Sequence, residues 1–241
     1  MSEVLEALRG GLVVSVQASP GTPLAAPAHI AAMARAAELG GAAGIRATEV
    51  AAVKEAVGLP VIGLRKRRVE GGHLYITPSV DDARAVAAAG ADIVAVDATL
   101  RPRPAGVDLA ALVSELAVPV LADVDSLEAG LAAREAGAAA VATTLAGYSD
   151  AAALARQPAP RGLDAAASAP GEPALDLVAA LAAELDCPVF AEGRIATPAQ
   201  VRAAVDAGAF AVVVGTAITD PLALTRGFAA AIPRRSARAA R

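Results

Sequence analysis

Tryptophan is absent from this chain of 241 residues, aromatic residues make up 2% of it, and there is one cysteine. A single cysteine, Cys187, excludes an intrachain disulfide and fits a reducing cytoplasm. It stands just before an apolar strand pattern, where a buried inert thiol is the expected state. Histidine is nearly as scarce: His29 falls in a helical pattern and His73 in a Gly-Gly-His stretch, and neither has a partner at ligand spacing. Asp97 and Asp123 offer oxygens to a hard cation, but the donor set is thin and no metal is expected. No G-x-G-x-x-G follows a strand, which argues against a dinucleotide cofactor. No Ser-His-Asp or Cys-His set can be assembled. The net charge of −4 gives no field favouring nucleic acid or an anionic membrane. No apolar run is long enough to span a bilayer. The short stretch Gly11–Val16 mimics a secretory signal only faintly, and Glu3 and Glu6 spoil its n-region.

What the chain has in quantity is small and aliphatic side chains, and they repeat. Hydrophobic residues are 56% of the total, enough for a large core. Four segments end a helix with glycine and enter an apolar strand: Ala37–Ile45, Ala88–Val96, Glu135–Ala142 and Asp206–Val214. Glycine after the last helical residue is the left-handed C-cap signal. Three others enter a strand through proline: Leu59–Ile62, Val118–Leu121 and Asp186–Phe190. The two kinds alternate, and Gly11–Gln17 at the start brings the strands to eight. Helix starts stand between them. Ser79-x-x-Asp82, Asp125-x-x-Glu128 and Thr197-Pro-x-Gln200 match capping boxes, and Asp220-Pro221 reads as an N-cap with proline at the first helical position. Strands that are apolar throughout suit a sheet covered on both faces. Eight such units predict a single-domain α/β fold, a (β/α)8 TIM barrel over residues 1–232. A doubly wound open sheet explains the alternation equally well but usually has fewer strands. Residues 157–173 predict a long loop after the sixth strand, and residues 233–241 a basic, frayed tail.

Polar residues collect where strands end: Gln17, Arg46, Lys66, Asp97, Arg101, Asp123, Thr143, Thr144, Tyr148, Glu192, Arg194 and Thr216. In a barrel these ends converge on one mouth. The plain reading of any one is a satisfied surface group, but their common placement at one edge is harder to dismiss. Pro188–Pro198 shows the pattern in small: a buried strand, then Glu192, Gly193 and Arg194, then a capped helix start. Gly193 and Arg194 after the seventh strand, with Gly215 and Thr216 after the eighth, form the loops that hold phosphate in many barrels. Glycine lets the backbone approach an anion, helix-start N–H groups point at it, and Arg194 can add a charge-assisted bond. The alternative is that these glycines merely turn the chain.

Arg65-Lys66-Arg67-Arg68 is a dense basic run. A solvated loop and a nucleic-acid patch are two readings of it. A third places Lys66 at the mouth, where neighbouring cations such as Arg46 and Arg67 would disfavour its charged form. It could then act as a general base or form a Schiff base.

These motifs, in this order, resemble the N-acetylmannosamine-6-phosphate 2-epimerase family from about Gly11 to Ile232. The resemblance rests on Gly11–Ala18, Gly44-Ile-Arg46, Leu59–Arg67, Ile76-Thr-Pro78, Asp97–Arg101, Ala122-Asp123, Thr143–Tyr148, Ala191–Ile195 and Val213–Thr219. It implies a TIM barrel that interconverts N-acetylmannosamine 6-phosphate and N-acetylglucosamine 6-phosphate, without a cofactor, by proton transfer at C2 in sialic acid and amino-sugar catabolism. The residues matching the family's acid–base pair are Lys66 and Glu192. Those matching its sugar site are Gln17, Arg46 and Asp123, with Thr144 and Tyr148 beside them, and the glycine loops hold the phosphate. The implied partner is a small phosphorylated amino sugar, with no nucleic acid and no membrane. The location is cytoplasmic, and the oligomeric state is left open, a homodimer included. Two departures stand out: Asp220 where the family often has a basic residue, and the length of 157–173. Other phosphosugar barrel enzymes remain as alternatives, a ketose-phosphate 3-epimerase or a Schiff-base aldolase, as does a non-catalytic phosphosugar-binding barrel.

Overall fold

In the computed structural model, which describes residues 1–18, 21–68, 74–148 and 171–232, eight parallel strands close into a barrel. They are β1 (Leu12–Val16), β2 (Gly44–Ala47), β3 (Val61–Gly63), β6 (Ile93–Asp97), β7 (Val120–Asp123), β8 (Ala140–Ala142), β9 (Val189–Glu192) and β10 (Ala211–Val214). Each pairs with its sequence neighbours, and β10 closes on β1 through Leu12↔Val212 to Val14↔Val214. Seven strands fall where the glycine and proline entries predict them and β1 falls within Gly11–Gln17, and the open doubly wound sheet is excluded by closure. The predicted loop at 157–173 lies outside the described residues except for its last three, and the tail at 233–241 lies wholly outside them.

Side-chain alternation along each strand divides the apolar residues into layers. Val14, Ile45, Val61, Val94, Val96 and Val120 point outward beneath the helices of one half of the barrel, and Ala122, Val141, Val189, Ala191, Val212 and Val214 do so in the other half. The intervening residues, among them Val13, Ile62, Ile93, Leu121, Phe190 and Val213, fill the interior. This accounts for strands that read as continuously apolar: both faces are dry.

The outer helices are α2 (Pro27–Leu39), α3 (Val50–Ala56), α4 (Val80–Ala88), α5 (Leu109–Ser114), α6 (Leu127–Glu135), α7 (Leu175–Glu184) and α8 (Pro198–Asp206). Glycines with φ between +90° and +97° follow α2, α4, α6 and α8, at Gly41, Gly90, Gly137 and Gly208. Alanine lets the helices sit close. At Gly130 on α6 even a methyl group would come 2.3 Å from Leu181 Cδ2 on α7. The Thr197–Gln200 capping box is complete in both directions, and Asp220 accepts from Ala223 N at 2.9 Å. The other two matches are altered. Ser126, not Asp125, caps α6. Ser79 caps α4, but the Asp82 carboxylate accepts from the Ser79 hydroxyl and from arginines.

Three features were not expected. A short helix, α1 (Glu3–Glu6), with Leu5 and Leu8 plugs the bottom of the barrel, where both join the interior cluster. A two-stranded antiparallel sheet, β4 (Lys66–Arg68) and β5 (Leu74–Ile76), rises over the top between β3 and α4. After β10 come a single turn, α9 (Thr216–Thr219), and the last helix, α10 (Pro221–Ala231), which has no buried residue.

Candidate active site

The rule that fills the interior also builds the site. On β7, Leu121 faces inward, so Asp123 two residues later faces the mouth; Phe190 and Glu192 stand in the same relation on β9. Gly44 and Arg46 on β2, and Ala142 and Thr144 after β8, repeat it. Arg46, Asp123 and Glu192 are therefore part of the top layer of the barrel interior, held by backbone register rather than by loops.

There Arg46 makes a bidentate pair with Asp123, Nη1 to Oδ1 at 3.0 Å and Nη2 to Oδ2 at 2.7 Å. Its Nη1 also lies 3.0 Å from Glu192 Oε2. Arg46 and Asp123 are buried and the Glu192 side chain is 12% exposed. Burial opposes the Arg46 charge, but Asp123 and Glu192 outweigh it and raise its pKa further. One guanidinium faces two carboxyls, so the cluster is neutral when one of them holds a proton. Burial pushes both carboxyls above their ordinary range, against the pull of Arg46.

Thr144 bridges the two carboxyls. Thr144 Oγ1 is 2.5 Å from Asp123 Oδ1 and 3.1 Å from Glu192 Oε2. A hydroxyl has one hydrogen to donate. It therefore serves the two carboxyls one at a time, favouring the charged form of the one that accepts it. The Glu192 backbone is fixed as well: its N–H donates to Thr143 Oγ1 at 3.0 Å, and that hydroxyl donates to Glu192 O at 2.9 Å. Gln17 Nε2 donates to Ser15 Oγ at 2.7 Å beside this cluster. Among the described residues, Gln17 Oε1 and Arg46 Nε are buried without a hydrogen-bond partner.

Lys66 reaches the mouth from the hairpin. It is half-buried, and its ammonium is near enough to Glu192 to favour the carboxylate form there. β3 and β9 are four strands apart in either direction round the closed sheet, so the residue that follows one and the residue that ends the other approach the mouth from opposite sides. Most of the basic run is a strand with exposed arginines rather than a loop. Arg65 and Arg67 both donate to Asp82 Oδ1, and Arg46 is neutralised by its carboxyls. The two guanidiniums expected to crowd Lys66 are thus both paired.

Gly193 (φ 107°) and Arg194 (φ 56°) follow Glu192 in left-handed conformations. The Arg194 guanidinium donates to Ala146 O at 2.8 Å and Glu172 O at 2.9 Å, and it lies 5.3 Å from the centre of the Tyr148 ring. It ties together the loop after β8 and the chain entering α7. Gly215 lies close to Ser15 and leads into α9, with Thr216 as its first residue; Thr219 Oγ1 donates to Ser15 O at 2.7 Å. Asp220 serves as the cap of α10.

Asp82, Tyr75 and Thr99 carry the hairpin and were not singled out as site residues. The pair Gly71-Gly72 between two short segments is a hairpin signal that would have drawn attention to them. Cys187 lies at the opposite end of the barrel, with its thiol pushed up by burial. Among the described residues no group of three His, Cys, Asp or Glu could hold a metal, and no helix is long and apolar enough to cross a membrane.

Comparison with known proteins gives a consistent picture. A family profile described as "Putative N-acetylmannosamine-6-phosphate epimerase" matches residues 30–234. A protein of Cutibacterium acnes with the corresponding 2-epimerase name is 46% identical over 234 residues, 93% of this chain and 95% of its own. One from Caldanaerobacter subterraneus is 40% identical over 241 residues, covering 97% and 95%. Among solved structures, the N-acetylmannosamine-6-phosphate 2-epimerase from Clostridium perfringens superposes with a TM-score of 0.83 at 33% identity, over 96% of this chain and 97% of that one.

Proposed function

The chain belongs to the N-acetylmannosamine-6-phosphate epimerase family, and we propose that it interconverts N-acetylmannosamine 6-phosphate and N-acetylglucosamine 6-phosphate by removing and returning the proton at C2. The observation that carries this reading is the placement of Lys66 and Glu192 on opposite sides of one mouth. Inverting a carbon needs a base on one face and an acid on the other, and two groups facing each other supply both without turning the substrate. Glu192 suits the work: burial raises its pKa, which moves a carboxyl toward the pH at which it can both take and give a proton.

The C2 hydrogen is acidic only beside an open-chain aldehyde, so ring opening comes first. Deprotonation then leaves an enediolate, which hydrogen-bond donors at the mouth stabilise. Arg46 Nε and Gln17 Oε1 offer a donor and an acceptor to the sugar's hydroxyl and acetamido groups. Asp123 holds Arg46, Thr144 links the two carboxyls, and Tyr148 flanks the site through Arg194. Gly193, Arg194, Gly215 and Thr216 form the phosphate anchor. Its support is that the first N–H groups of a helix have no acceptor within it and those of α9 begin at the rim. Arg194 reaches the phosphate only on leaving its carbonyl partners, and Asp220 adds no positive charge there. The activity belongs to the breakdown of amino sugars and sialic acid in the cytoplasm.

Incubation with N-acetylmannosamine 6-phosphate in deuterated water should give the other epimer and place deuterium at C2 of both. Neither product nor label at saturating substrate would overturn the proposal.

The chain is further proposed to form a homodimer through α10. An eleven-residue helix is marginal in water by itself, yet α10 leaves Leu222, Leu224 and Phe228 exposed, Phe228 at 78%. Light scattering on Phe228→Asp should show a shift to monomer; an unchanged mass for both proteins would remove α10 from the interface.

A further inference from the structure

The hairpin that carries Lys66 shares no strand pairing with the barrel sheet, and two strands of three residues do not hold a geometry in water unaided. Beyond its entry, where Leu64 N donates to Ala47 O at 3.1 Å, its position comes from side chains. Lys66 stands opposite Ile76, and Arg67 opposite Tyr75. Opposed residues share a face and successive ones alternate. Ile76 packs into the interior cluster of the barrel, so Lys66 shares the face turned to the barrel axis. Arg67 and Tyr75 make up the outer face.

That outer face is gripped at both edges. On one side Arg67 binds Asp82 on α4 through Nε and Nη2, at 3.0 and 2.9 Å. On the other, Arg101 joins the hairpin to the end of β6. Its Nη2 donates to Leu74 O at 2.8 Å and to Asp97 Oδ2 at 2.5 Å, and its Nε donates to Thr99 Oγ1 at 3.1 Å. The guanidinium lies 4.0 Å from the centre of the Tyr75 ring, whose hydroxyl donates to Pro102 O at 2.9 Å. Asp97 is itself fixed, accepting from Thr99 N and Oγ1. Asp97 is a residue of the rigid interior layer, so this chain of contacts ties the hairpin's height to the frame that also holds Glu192.

We propose that Arg101 is a positioning residue for the C2 proton transfer: with Asp97 and Thr99 it sets where the Lys66 ammonium stands over the mouth. The inference rests on the acid–base role proposed for Lys66. The Arg101 guanidinium is committed to Leu74, Asp97 and Thr99 and is assigned no contact with the sugar, so its loss should appear in turnover.

The test is a cycle of Arg101→Gln, Lys66→Ala and the double variant, followed by kcat, KM and deuterium incorporation at C2. Arg101→Gln should lower kcat by roughly 10- to 100-fold, the scale of a misplaced reacting group, with KM changed less than about twofold. In the Lys66→Ala background the same substitution should change the residual rate by less than about twofold, because residues acting as one unit are not additive. Equal fold losses in both backgrounds, or an unchanged kcat in Arg101→Gln, would overturn the proposal. Wild-type turnover in Lys66→Ala would instead remove Lys66 from the mechanism and the positioning role with it. Should Arg101→Gln fail to fold, Thr99→Val removes the hydroxyl that joins Arg101 to Asp97 at nearly constant volume. It should show the same dependence on Lys66, with a smaller loss.

Discussion

Glu192 and Lys66 face each other across one mouth, yet they are held by different kinds of structure. Glu192 ends a barrel strand. Its backbone is in parallel register with β10, its N–H and C=O are clamped by Thr143, and its carboxyl sits in a buried cluster with Arg46, Asp123 and Thr144. Lys66 stands on a hairpin with no register to the barrel, secured by exposed arginines and by Arg101. One half of the proton-transfer pair is thus part of the core. The other is attached to it from outside, and its precision depends on a handful of side chains.

Substitutions that strike the two halves separate these regimes. The largest effect is expected at the core. Arg46→Leu leaves two buried carboxyls without their cation, and removing one partner of such a group costs about 3–5 kcal/mol. Urea denaturation should show that loss together with loss of activity. A cost below about 1 kcal/mol would mean that the cluster does not support the fold.

A change within the cluster that spares the fold should be read in pH. The Thr144 hydroxyl favours the charged form of Glu192, while burial, the larger influence, favours the neutral form. Thr144→Val removes the smaller opposing influence, so the Glu192 pKa should rise further. The acid limb of kcat/KM, which reports the free enzyme, should then move to higher pH. The raised pKa also has a consequence for stability. A folded state that holds the proton more tightly than the unfolded chain gains stability below the ordinary glutamate pKa, and loses it as pH rises through the folded value. An acid limb unmoved in Thr144→Val would show that another group governs it.

The smallest stability effect is expected on the hairpin. Arg67 is 52% exposed in its pair with Asp82, so Arg67→Ala should cost less than about 1 kcal/mol while kcat falls with KM little changed. Burial opposes ionisation of Asp82, but hydrogen bonds from Arg67 and Ser79 bring its pKa below the ordinary value. The clamp should therefore survive mild acid and be lost only as pH falls through that lowered pKa. An Arg67→Ala protein with unaltered kcat would assign the whole outer grip to Arg101.

The same contrast decides what the sequence made legible. Barrel strands are written locally: a glycine or proline entry, an apolar run, and a polar residue two places beyond an inward-facing one. Glu192, Arg46 and Asp123 could be read from that pattern because the parity that buries Phe190 and Leu121 also aims the residues above them. The hairpin is written non-locally. Arg65–Arg68 has no apolar alternation to mark a strand, and the partners that organise it, Asp82, Asp97 and Arg101, lie in other elements. Arg194 was singled out, but the partners it meets were not legible. Its left-handed backbone turns the side chain toward the carbonyls of Ala146 and Glu172, a direction that residue type does not disclose. The cap of α6 fell to Ser126 because a choice between adjacent Asp and Ser is settled by one residue of register.

The scarcity of aromatics leaves the molecule an optical probe of its own. There is no tryptophan, and both tyrosines are at the site: Tyr75 beneath Arg101 on the hairpin and Tyr148 beside Arg194. Tyrosine fluorescence and the tyrosine bands of the near-ultraviolet dichroism therefore come from the walls of the mouth. Closure around a sugar phosphate, or a loosened hairpin, can be followed by light on the unlabelled protein, with Tyr75→Phe and Tyr148→Phe dividing the signal between the two walls.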